Sequence, residues 1–409
     1  MISDAIAPRP AAADSALPEG GIDFWKSLPA HQQPEWEPSD AELLDEIRTE
    51  LADRPGLVSS SEVAQLRSLL AEVAEGRLQV VQAGDCAEDP VECEPGYVTR
   101  KVALLDALAG VMALHNPRPV LRIGRMAGQF GKPRSKPTEL VGGVELPVYR
   151  GHMVNSPEPD AAHRRPDPRR LLAGYEAAAG AMTTLRERAV EGLGAVGAPV
   201  WVSHEALLLD YEVPLLRYDD DGRRYLASTH LPWIGDRTRQ LDGAHVALLA
   251  SVSNPVASKV GPSMGLDELL ELCERLDPQR EPGRLTLIAR MGADKVAAKL
   301  PAMAAAVKAA GHPVVWLTDP MHGNTISGPE GLKTRLVETV RHEVEEFQKA
   351  ITSAGAVVGG LHLETTPDDV TECVHDESFL ANVPHKYTSL CDPRLNPSQA
   401  LEIAAAWRG

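Results

Sequence analysis

The segment LQVVQAG at 78–84 is the first of seven short apolar runs that decide the fold. Each run is rich in β-branched residues and is separated from the next by a helix-like stretch rich in Ala, Leu and Glu. The other six are PVLRIG (119–124), PVWVSH (199–204), PVASKVG (255–261), RLTLIAR (284–290), PVVWLTD (313–319) and VVGGLHLE (357–364). Strands that are apolar on both faces and alternate with helices predict repeated βα units around a parallel sheet.

An eighth strand is expected near AHVALLAS (244–251), although a short apolar run of this kind fits a helix equally well. Eight strands between residues 78 and 364 favour an α/β fold of the (β/α)8 TIM-barrel type over a doubly wound sheet. No G-x-G-x-x-G segment follows the first strand, which removes the main support for a dinucleotide-binding sheet. We therefore predict a TIM barrel with an N-terminal extension.

The chain is expected to have three parts: an extended arm at 1–40, N-terminal helices packed on the barrel at 41–76, and the catalytic barrel at 77–409. The arm is rich in Pro, Ala and acidic residues, and its Trp25 and Trp36 are expected to dock on the body or on a second subunit. Helical apolar spacing appears over Ala41–Asp53 and Ser61–Glu75, and the segment SSSE opens the second helix with a capping signal.

The overall charge excludes several classes of partner. Lys and Arg total 41 against 58 Asp and Glu, so the net charge is −17. Such a field repels phosphodiester backbones and anionic lipids, and we expect neither a nucleic-acid nor a membrane partner. The N-terminus lacks the basic start and apolar core of a secretory signal, and the five cysteines include no C-x-x-C pair. A reducing cytoplasm is therefore the expected location.

Polar residues follow nearly every predicted strand, at the end where such a barrel carries its active site. Six cations lie there or nearby in an otherwise acidic chain: Arg125, Lys132, Arg134, Arg237, Lys259 and Arg290. Guanidinium and ammonium groups suit phosphates and carboxylates, so the set predicts a multiply charged anionic substrate. Any one of these residues could instead be a solvated surface charge or the partner in an ion pair. Their clustering at one end of the barrel favours binding of an anionic ligand.

A second set offers sulfur, nitrogen and oxygen donors. Cys86, His322 and Glu364 follow the first, seventh and eighth predicted strands, which become neighbours when the sheet closes, and Asp392 falls in the same sector. A thiolate, an imidazole and two carboxylates suit one divalent ion such as Mn²⁺, Co²⁺, Fe²⁺ or Zn²⁺. Two other interpretations compete with a metal site. These side chains could be buried structural residues, or Cys86 could be a nucleophile with His204 or His322 as its base.

Longer motifs carry a resemblance to a known family. They are QAGDCAE (82–88), GRMAGQFGKPRS (124–135), SHEALLLDYE (203–212), THLPWIGDRTRQLDGAHV (229–246), NPVASKVGPS (254–263), RLTLIARMG (284–292), DPMHGNT (319–325), GGLHLE (359–364), TECV (371–374) and CDPRLNPSQALE (391–402). In this order the chain resembles, from about Trp25 to Trp407, the class II (plant-type) 3-deoxy-D-arabino-heptulosonate 7-phosphate (DAHP) synthases. That resemblance implies a metal-dependent (β/α)8 barrel that condenses phosphoenolpyruvate with erythrose 4-phosphate in the first shikimate-pathway step.

The resemblance also implies a role for individual residues. It implies that one divalent metal, preferably Mn²⁺, is bound by Cys86, His322, Glu364 and Asp392. It assigns phosphoenolpyruvate to Arg125, Arg237, Lys259 and Arg290, and the aldose phosphate to Lys132, Arg134 and Ser135. Lys259 is a candidate proton donor to the new alkoxide, and Glu205 or Asp236 a candidate to position water. An ion pair with a nearby Arg explains either carboxylate equally well.

Three positions depart from the family pattern: His152 stands where Asp is usual, Asp236 where Glu is usual, and Ala293 where Asn is usual. All three lie next to substrate-facing segments, and His152 is itself a candidate substrate contact. The alternatives are therefore a modified aldose phosphate acceptor, or a non-catalytic relative that binds a sugar phosphate. The chain is also short between Arg150 and Trp201, where longer members carry helices used in aromatic amino-acid feedback. This predicts a feedback-insensitive enzyme of secondary metabolism, and the Trp-bearing arm predicts a homo-oligomer.

Overall fold

The computed structural model describes residues 24–25, 27–190 and 199–409. A closed barrel of parallel strands, here β1 to β8 in chain order, lies at its centre. The strands are β1 Gln79–Gly84, β2 Val120–Arg125, β3 Trp201–Glu205, β4 Leu231–Ile234, β5 Val256–Val260, β6 Leu285–Ala289, β7 Val315–Thr318 and β8 Val358–Glu364. The last strand pairs with the first, from Val80 beside Gly360 to Gly84 beside Glu364, so the sheet closes. The predicted (β/α)8 barrel is confirmed.

Helices alternate with these strands and surround them. They are α1 Ala41–Asp53, α2 Ser60–Ala74, α3 Pro95–His115, α4 Arg169–Val190, α5 Leu209–Glu212, α6 Ala244–Ala250, α7 Leu266–Leu276, α8 Val296–Ala309, α9 Val337–Ser353 and α10 Pro397–Ala405. Three small antiparallel hairpins are inserted, pairing Thr138–Val141 with Val144–Pro147, Leu216–Tyr218 with Arg224–Leu226, and Ile326–Ser327 with Lys333–Thr334. None of the described helices has the length and apolar character that crossing a bilayer requires.

The eighth strand does not lie where the sequence suggested it. The run AHVALLAS forms helix α6, and the missing strand is the four-residue β4, with sequence LPWI. Pro232 cannot donate a ladder hydrogen bond, and Pro within a short run argues against a strand. The strand is nevertheless paired on both sides, since Ser203 lies beside Leu231 and Trp233 beside Ala257. Tertiary context therefore decides this element.

Helix α2 closes the amino-terminal end of the barrel. Its Leu66, Leu70 and Val73 are buried against the barrel-interior side chains Val80, Ile123, Trp201, Leu231, Trp233, Ala257, Ile288, Val315 and Leu317. The helix begins with a capping box, in which the Glu62 N–H donates to Ser59 Oγ at 3.2 Å and the Ser59 N–H donates to Glu62 Oε2 at 2.7 Å. Among the described residues α2 thus fills one end of the barrel, so we expect a ligand site at the other.

The described part of the arm lies on the barrel of its own chain. Trp25 is buried in the main hydrophobic core, and the Trp36 indole N–H donates to Asp210 Oδ2 at 2.7 Å. Gln32 reaches further, because its Oε1 accepts from the backbone N–H of Arg134 at 2.7 Å. The arm therefore supports a loop at the carboxyl-terminal end of the barrel.

Candidate active site

A cavity of about 1040 Å³ opens at the carboxyl ends of the barrel strands. Its lining includes residues that end or follow β3 to β7, among them Glu205, Lys259 and Arg290. Cationic side chains dominate the charge, namely Lys132, Arg134, Lys136, Arg237, Lys259, Arg290 and Lys333, against the acids Glu139, Glu145, Glu205, Asp236 and Asp392. This local excess of positive charge occurs in a chain with a net charge of −17.

Most of the residues singled out in the sequence come together here. Those that line the cavity are Lys132, Arg134, Ser135, Glu205, Asp236, Arg237, Lys259, Arg290, His322 and Asp392. Arg125, Cys86 and Glu364 are buried, and Arg125 Nη2 donates to Glu364 Oε1 at 3.1 Å. His152 lies apart from the lining residues, with its ring against Tyr149 and its Nε2 3.6 Å from Asp89 Oδ2.

Three of the four predicted metal ligands form one tight group. Ligand atoms of Cys86, Glu364 and Asp392 lie within 4.8 Å of one another. Atoms bound to one ion at about 2.2 Å can lie up to about 4.4 Å apart, so this spacing is close to that of a shared metal. Lys132 Nζ lies 2.5 Å from Cys86 Sγ and 2.7 Å from Asp392 Oδ2. The group therefore already surrounds a positive charge.

His322, the fourth predicted ligand, adjoins this group through Glu364. Its Nδ1 lies 2.7 Å from Asp319 Oδ2 and its Nε2 lies 3.1 Å from Glu364 Oε1. When Nδ1–H donates to the carboxylate of Asp319, the Nε2 lone pair faces a carboxylate oxygen, an arrangement suited to a shared cation. Burial opposes ionisation of Asp319, but His322 and Lys259 hold its pKa well below the ordinary value.

The donor set itself fits a divalent metal. Burial raises the pKa of the Cys86 thiol well above its ordinary value, so a thiolate here needs a strong positive partner. Burial also opposes the ionised form of Glu364, yet His322 and Arg335 hold its pKa well below the usual range. Sulfur, imidazole and carboxylate donors in one buried group suit a borderline-soft ion such as Zn²⁺, Fe²⁺, Co²⁺ or Mn²⁺.

A chain of polar side chains crosses the barrel interior below the cavity. Lys259 Nζ lies 2.6 Å from Asp319 Oδ2 and 2.5 Å from His362 Nε2, and His362 Nδ1 lies 2.7 Å from Gln82 Oε1. The Gln82 amide in turn donates to Ser203 Oγ at 2.9 Å, which fixes Gln82 Oε1 as an acceptor. His362 therefore donates through Nδ1 and accepts through Nε2. Burial lowers the pKa of Lys259 to about 8.

The two carboxylates considered for water positioning differ in their surroundings. Asp236 accepts from Arg239 Nε at 2.9 Å and from Arg290 Nη1 at 3.0 Å, so the ion-pair interpretation describes it. Glu205 makes no ion pair within the described residues, and its buried Oε1 has no hydrogen-bond partner there. Burial raises the pKa of Glu205 although several cations surround it.

Sequence reasoning missed three members of the site. His362 lies two residues before Glu364 on β8, so strand alternation places both side chains on the same face of the barrel, and that spacing was the available signal. Asp319 lies in the DPMHGNT motif, three residues before His322. Lys333 belongs to no motif. It lies on a two-residue hairpin strand, and its Nζ is 2.7 Å from Asp392 Oδ1.

The motifs that form this site belong to one known family. The sequence profile described as "Class-II DAHP synthetase family" matches residues 21–199 and 195–407, which together span most of the chain. The chain belongs to the class-II DAHP synthetase family. Members of this family are metal-dependent in general, in agreement with the Cys86, Glu364 and Asp392 group.

Curated members of the family resemble the chain along most of their length. A "probable phospho-2-dehydro-3-deoxyheptonate aldolase" of Pseudomonas fluorescens is 55% identical over 380 residues, covering 93% of this chain and 94% of the relative. The phospho-2-dehydro-3-deoxyheptonate aldolase of Streptomyces coelicolor is 41% identical over 428 residues, covering 93% and 95%. The enzyme of that name from Mycolicibacterium smegmatis is 37% identical over 454 residues, covering 98% and 96%.

A solved structure supports the architecture. The phospho-2-dehydro-3-deoxyheptonate aldolase of Francisella tularensis SCHU S4 superposes with a TM-score of 0.55, covering 88% of this chain and 95% of that chain. At 14% sequence identity the likeness concerns the barrel fold alone.

The three positions singled out in the sequence as departures lie in different surroundings. Asp236 lines the cavity within the Arg239 and Arg290 ion pairs, whereas His152 lies outside the lining. Ala293 contributes its backbone, whose N–H donates to Asn324 Oδ1 at 3.0 Å. Of the three, only Asp236 is therefore among the cavity residues.

Proposed function

We propose that the protein condenses phosphoenolpyruvate with erythrose 4-phosphate to give DAHP and inorganic phosphate. One divalent metal ion, preferably Mn²⁺, would be held by Cys86, His322, Glu364 and Asp392. The main support for the proposal is that a cationic cavity and a candidate metal site lie side by side at one end of the barrel. A cavity with seven cationic side chains adjoins the group of Cys86, Glu364 and Asp392. Family membership then selects the substrates, because the curated relatives carry the name of this aldolase.

The cationic side chains that line the cavity can balance the negative charge of the substrates. The reaction brings a carboxylate and two phosphates together, and their mutual repulsion must be balanced by fixed positive charge. We assign phosphoenolpyruvate to Arg125, Arg237, Lys259 and Arg290, and the aldose phosphate to Lys132, Arg134 and Ser135. The hydrogen bond from Arg237 Nη2 to Ser135 Oγ, at 2.6 Å, supports two adjacent anion sites. In this assignment Asp236 orients Arg290.

The chemistry requires carbon–carbon bond formation followed by loss of phosphate. C3 of phosphoenolpyruvate attacks the aldehyde carbon of the acceptor, the aldehyde oxygen gains a proton, water adds at C2 with loss of a proton, and inorganic phosphate leaves. The bound metal would supply Lewis-acid polarisation of the aldehyde oxygen. Lys259, with a pKa near 8, is largely protonated at neutral pH and is the proposed proton donor. Glu205 is the proposed acceptor of the proton that water loses.

A direct assay tests this function. Purified protein with Mn²⁺, phosphoenolpyruvate and erythrose 4-phosphate should release phosphate while the enol absorbance falls at the same rate. Arg290→Met should lower kcat/KM for phosphoenolpyruvate by about two orders of magnitude, because a charge-assisted contact to the anion is lost. Arg275→Met is the matched control, since Arg275 pairs with Glu271 one helical turn away on the exposed face of α7.

The outcome with other acceptors separates the alternatives. A panel of aldose phosphates with mass detection of the product should show erythrose 4-phosphate as the preferred acceptor. If an altered sugar phosphate is preferred, the acceptor is not erythrose 4-phosphate, but the proposed condensation reaction still holds. Absence of turnover with every acceptor, in protein that binds Mn²⁺, would overturn the proposal in favour of a binding protein.

A further inference from the structure

Glu88 is the last residue of the QAGDCAE motif, and the proposed reaction gives it no role. Its side chain is 1% exposed. Its Oε1 accepts from the backbone N–H groups of Gly128 at 3.1 Å and Gln129 at 2.8 Å, and its Oε2 accepts from that of Ala127 at 3.0 Å. Its own backbone N–H donates to the Gln129 carbonyl at 2.8 Å. One buried carboxylate therefore binds three consecutive amides of the loop that follows β2.

The backbone of this loop is unusual where Glu88 binds it. Ala127 has a φ of 60° and Gly128 a φ of 148°. A residue with a side chain adopts positive φ only when its surroundings impose it. Successive N–H groups that point to one anion form such a surrounding, and here the anion is Glu88. A Cβ at Gly128 would collide with the His204 ring, so the loop is held between these two side chains.

The loop leads directly into the segment assigned to the aldose phosphate. Three residues beyond Gln129, the backbone N–H of Lys132 donates to the Arg150 carbonyl at 2.9 Å, and Arg134 and Ser135 follow. Gln129 also acts in the other direction, because its side-chain Oε1 accepts from the backbone N–H of Glu205 at 3.0 Å. Residues 127–129 are thus connected through the backbone to the proposed aldose-phosphate segment and through one hydrogen bond to Glu205.

We propose that Glu88 is a positioning residue for the acceptor half of the active site. It holds the loop after β2 in the conformation that presents Lys132, Arg134 and Ser135 to the phosphate of the aldose, and it keeps Glu205 in place. Its buried charge is balanced by the three amides and by Lys101, whose Nζ lies 3.6 Å from Glu88 Oε2. The inference rests on the proposed function, since it takes the assignment of the acceptor segment from there.

Glu343 is the corresponding group for the donor half. It is buried on α9, its Oε1 accepts from the backbone N–H groups of Met291 and Gly292 at 3.0 Å each, and its Oε2 accepts from the Asn324 amide at 2.6 Å. These contacts fix the loop that begins with Arg290 and, through Asn324, the loop that contains His322. Two buried acidic side chains that each bind backbone amides therefore support loops on the two sides of one cavity, and each provides the control for the other.

The test compares Glu88→Gln with Glu343→Gln in the Mn²⁺-loaded full-length protein. In Glu88→Gln an amide NH₂ faces at least one of the three N–H donors, so the loop shifts and KM for erythrose 4-phosphate should rise about tenfold. KM for phosphoenolpyruvate and its affinity by titration calorimetry should stay within about twofold of wild type. Glu343→Gln should show the reverse pattern. Equal effects of Glu88→Gln on both substrates, or no effect on either, would overturn the proposal.

Three further variants keep the test decisive. Ala127→Gly in the Glu88→Gln background should recover part of the KM for erythrose 4-phosphate, because Gly adopts positive φ without strain. If Glu88→Gln does not fold, Glu88→Asp, which keeps the charge but shortens the side chain, takes its place and must show the same selectivity. Lys132→Met tests the underlying assignment: if it leaves KM for erythrose 4-phosphate unchanged, the acceptor site of the proposed function fails. If Lys132→Met raises that KM and Glu88→Gln does not, the positioning role alone fails.

Discussion

The imidazole of His362 and the ammonium of Lys259 are in direct contact, with His362 Nε2 2.5 Å from Lys259 Nζ. The hydrogen bond of His362 to Gln82 leaves Nε2 as an acceptor, and this atom faces both Lys259 and Arg125, whose Nη1 lies 2.8 Å away. Lys259 and Arg125 also lie over the ring of Trp233, at 5.8 and 5.4 Å from its centre. Lys259 and Arg125 are therefore bound to the interior of the barrel by both hydrogen bonds and ring contacts.

The pKa of Lys259 predicts a loss of phosphoenolpyruvate affinity in mildly alkaline solution. Burial lowers this pKa to about 8, so the ammonium fraction falls as the pH rises through that value and approaches a tenfold fall per unit at higher pH. KM for phosphoenolpyruvate should rise between about pH 8 and 9.5, and kcat should fall as well, because Lys259 is also the proposed proton donor. Lys259→Arg should remove this dependence at a lower overall activity, because a guanidinium stays charged. A KM that stays flat to alkaline pH in wild type would contradict the assignment.

Gly235 provides a test of Glu205 that leaves the carboxylate in the chain. A Cβ at Gly235 would collide with Glu205 Oε1, so Gly235→Ala must displace the carboxylate. We expect kcat to fall by about two orders of magnitude with little change in KM for phosphoenolpyruvate, because a general base is misplaced. Gly265→Ala is the control, since a Cβ there meets no atom within 4 Å. Equal kinetics of the two variants would remove Glu205 from the reaction.

Metal removal should destabilise the protein through Cys86. A ligand at a hundred times its Kd adds about 2.7 kcal/mol to the free energy of unfolding. Chelation by EDTA should therefore lower the Tm of wild type and leave the Tm of Cys86→Ala unchanged, as followed by scanning calorimetry. Cys273→Ala changes a cysteine buried in α7 and should respond to EDTA as wild type does. An identical response of Cys86→Ala would place the ion elsewhere.

Aromatic amino acids should not inhibit the enzyme. The alignments with the Streptomyces and Mycolicibacterium relatives extend over 428 and 454 residues, more than the 409 of this chain, so those relatives contain segments that it lacks. From the sequence, we expect the missing segments to lie between Arg150 and Trp201, and on that expectation a feedback site is lost. Steady-state rates should be unchanged by micromolar Trp, Phe or Tyr, alone or in pairs. Inhibition by any of them would show that a feedback site is retained.

The barrel could be predicted from the sequence because seven of its strands are buried apolar runs of adequate length. The eighth could not be located, since β4 has four residues and one of them is Pro232. Its existence depends on pairing with β3 and β5, which a local pattern does not contain. Helix α1 matches its predicted range Ala41–Asp53, and α2 begins one residue earlier than predicted, because amphipathic spacing and capping are local signals.

The candidate site was predictable wherever a charged residue follows a strand. His362 was missed although it lies on β8, because a lone buried histidine is commonly structural. Glu88 and Glu343 were missed for another reason: their partners are backbone amides, and the sequence gives no sign of which carboxylate an amide binds. Gln32 lies about a hundred residues before Arg134 in the sequence, and only the folded chain brings Gln32 against the loop that contains Arg134.

In the proposed function, one divalent ion lies between Cys86, His322, Glu364 and Asp392 and faces the cationic cavity. A crystal structure of the protein with Mn²⁺ and phosphoenolpyruvate, measured with anomalous scattering, tests it most directly. We predict one anomalous peak within bonding distance of Cys86 Sγ, His322 Nε2 and the two carboxylates, with phosphoenolpyruvate beside Arg290 and Lys259. A peak at any other group of side chains would refute this metal site, and phosphoenolpyruvate bound away from these cations would refute its assignment to them.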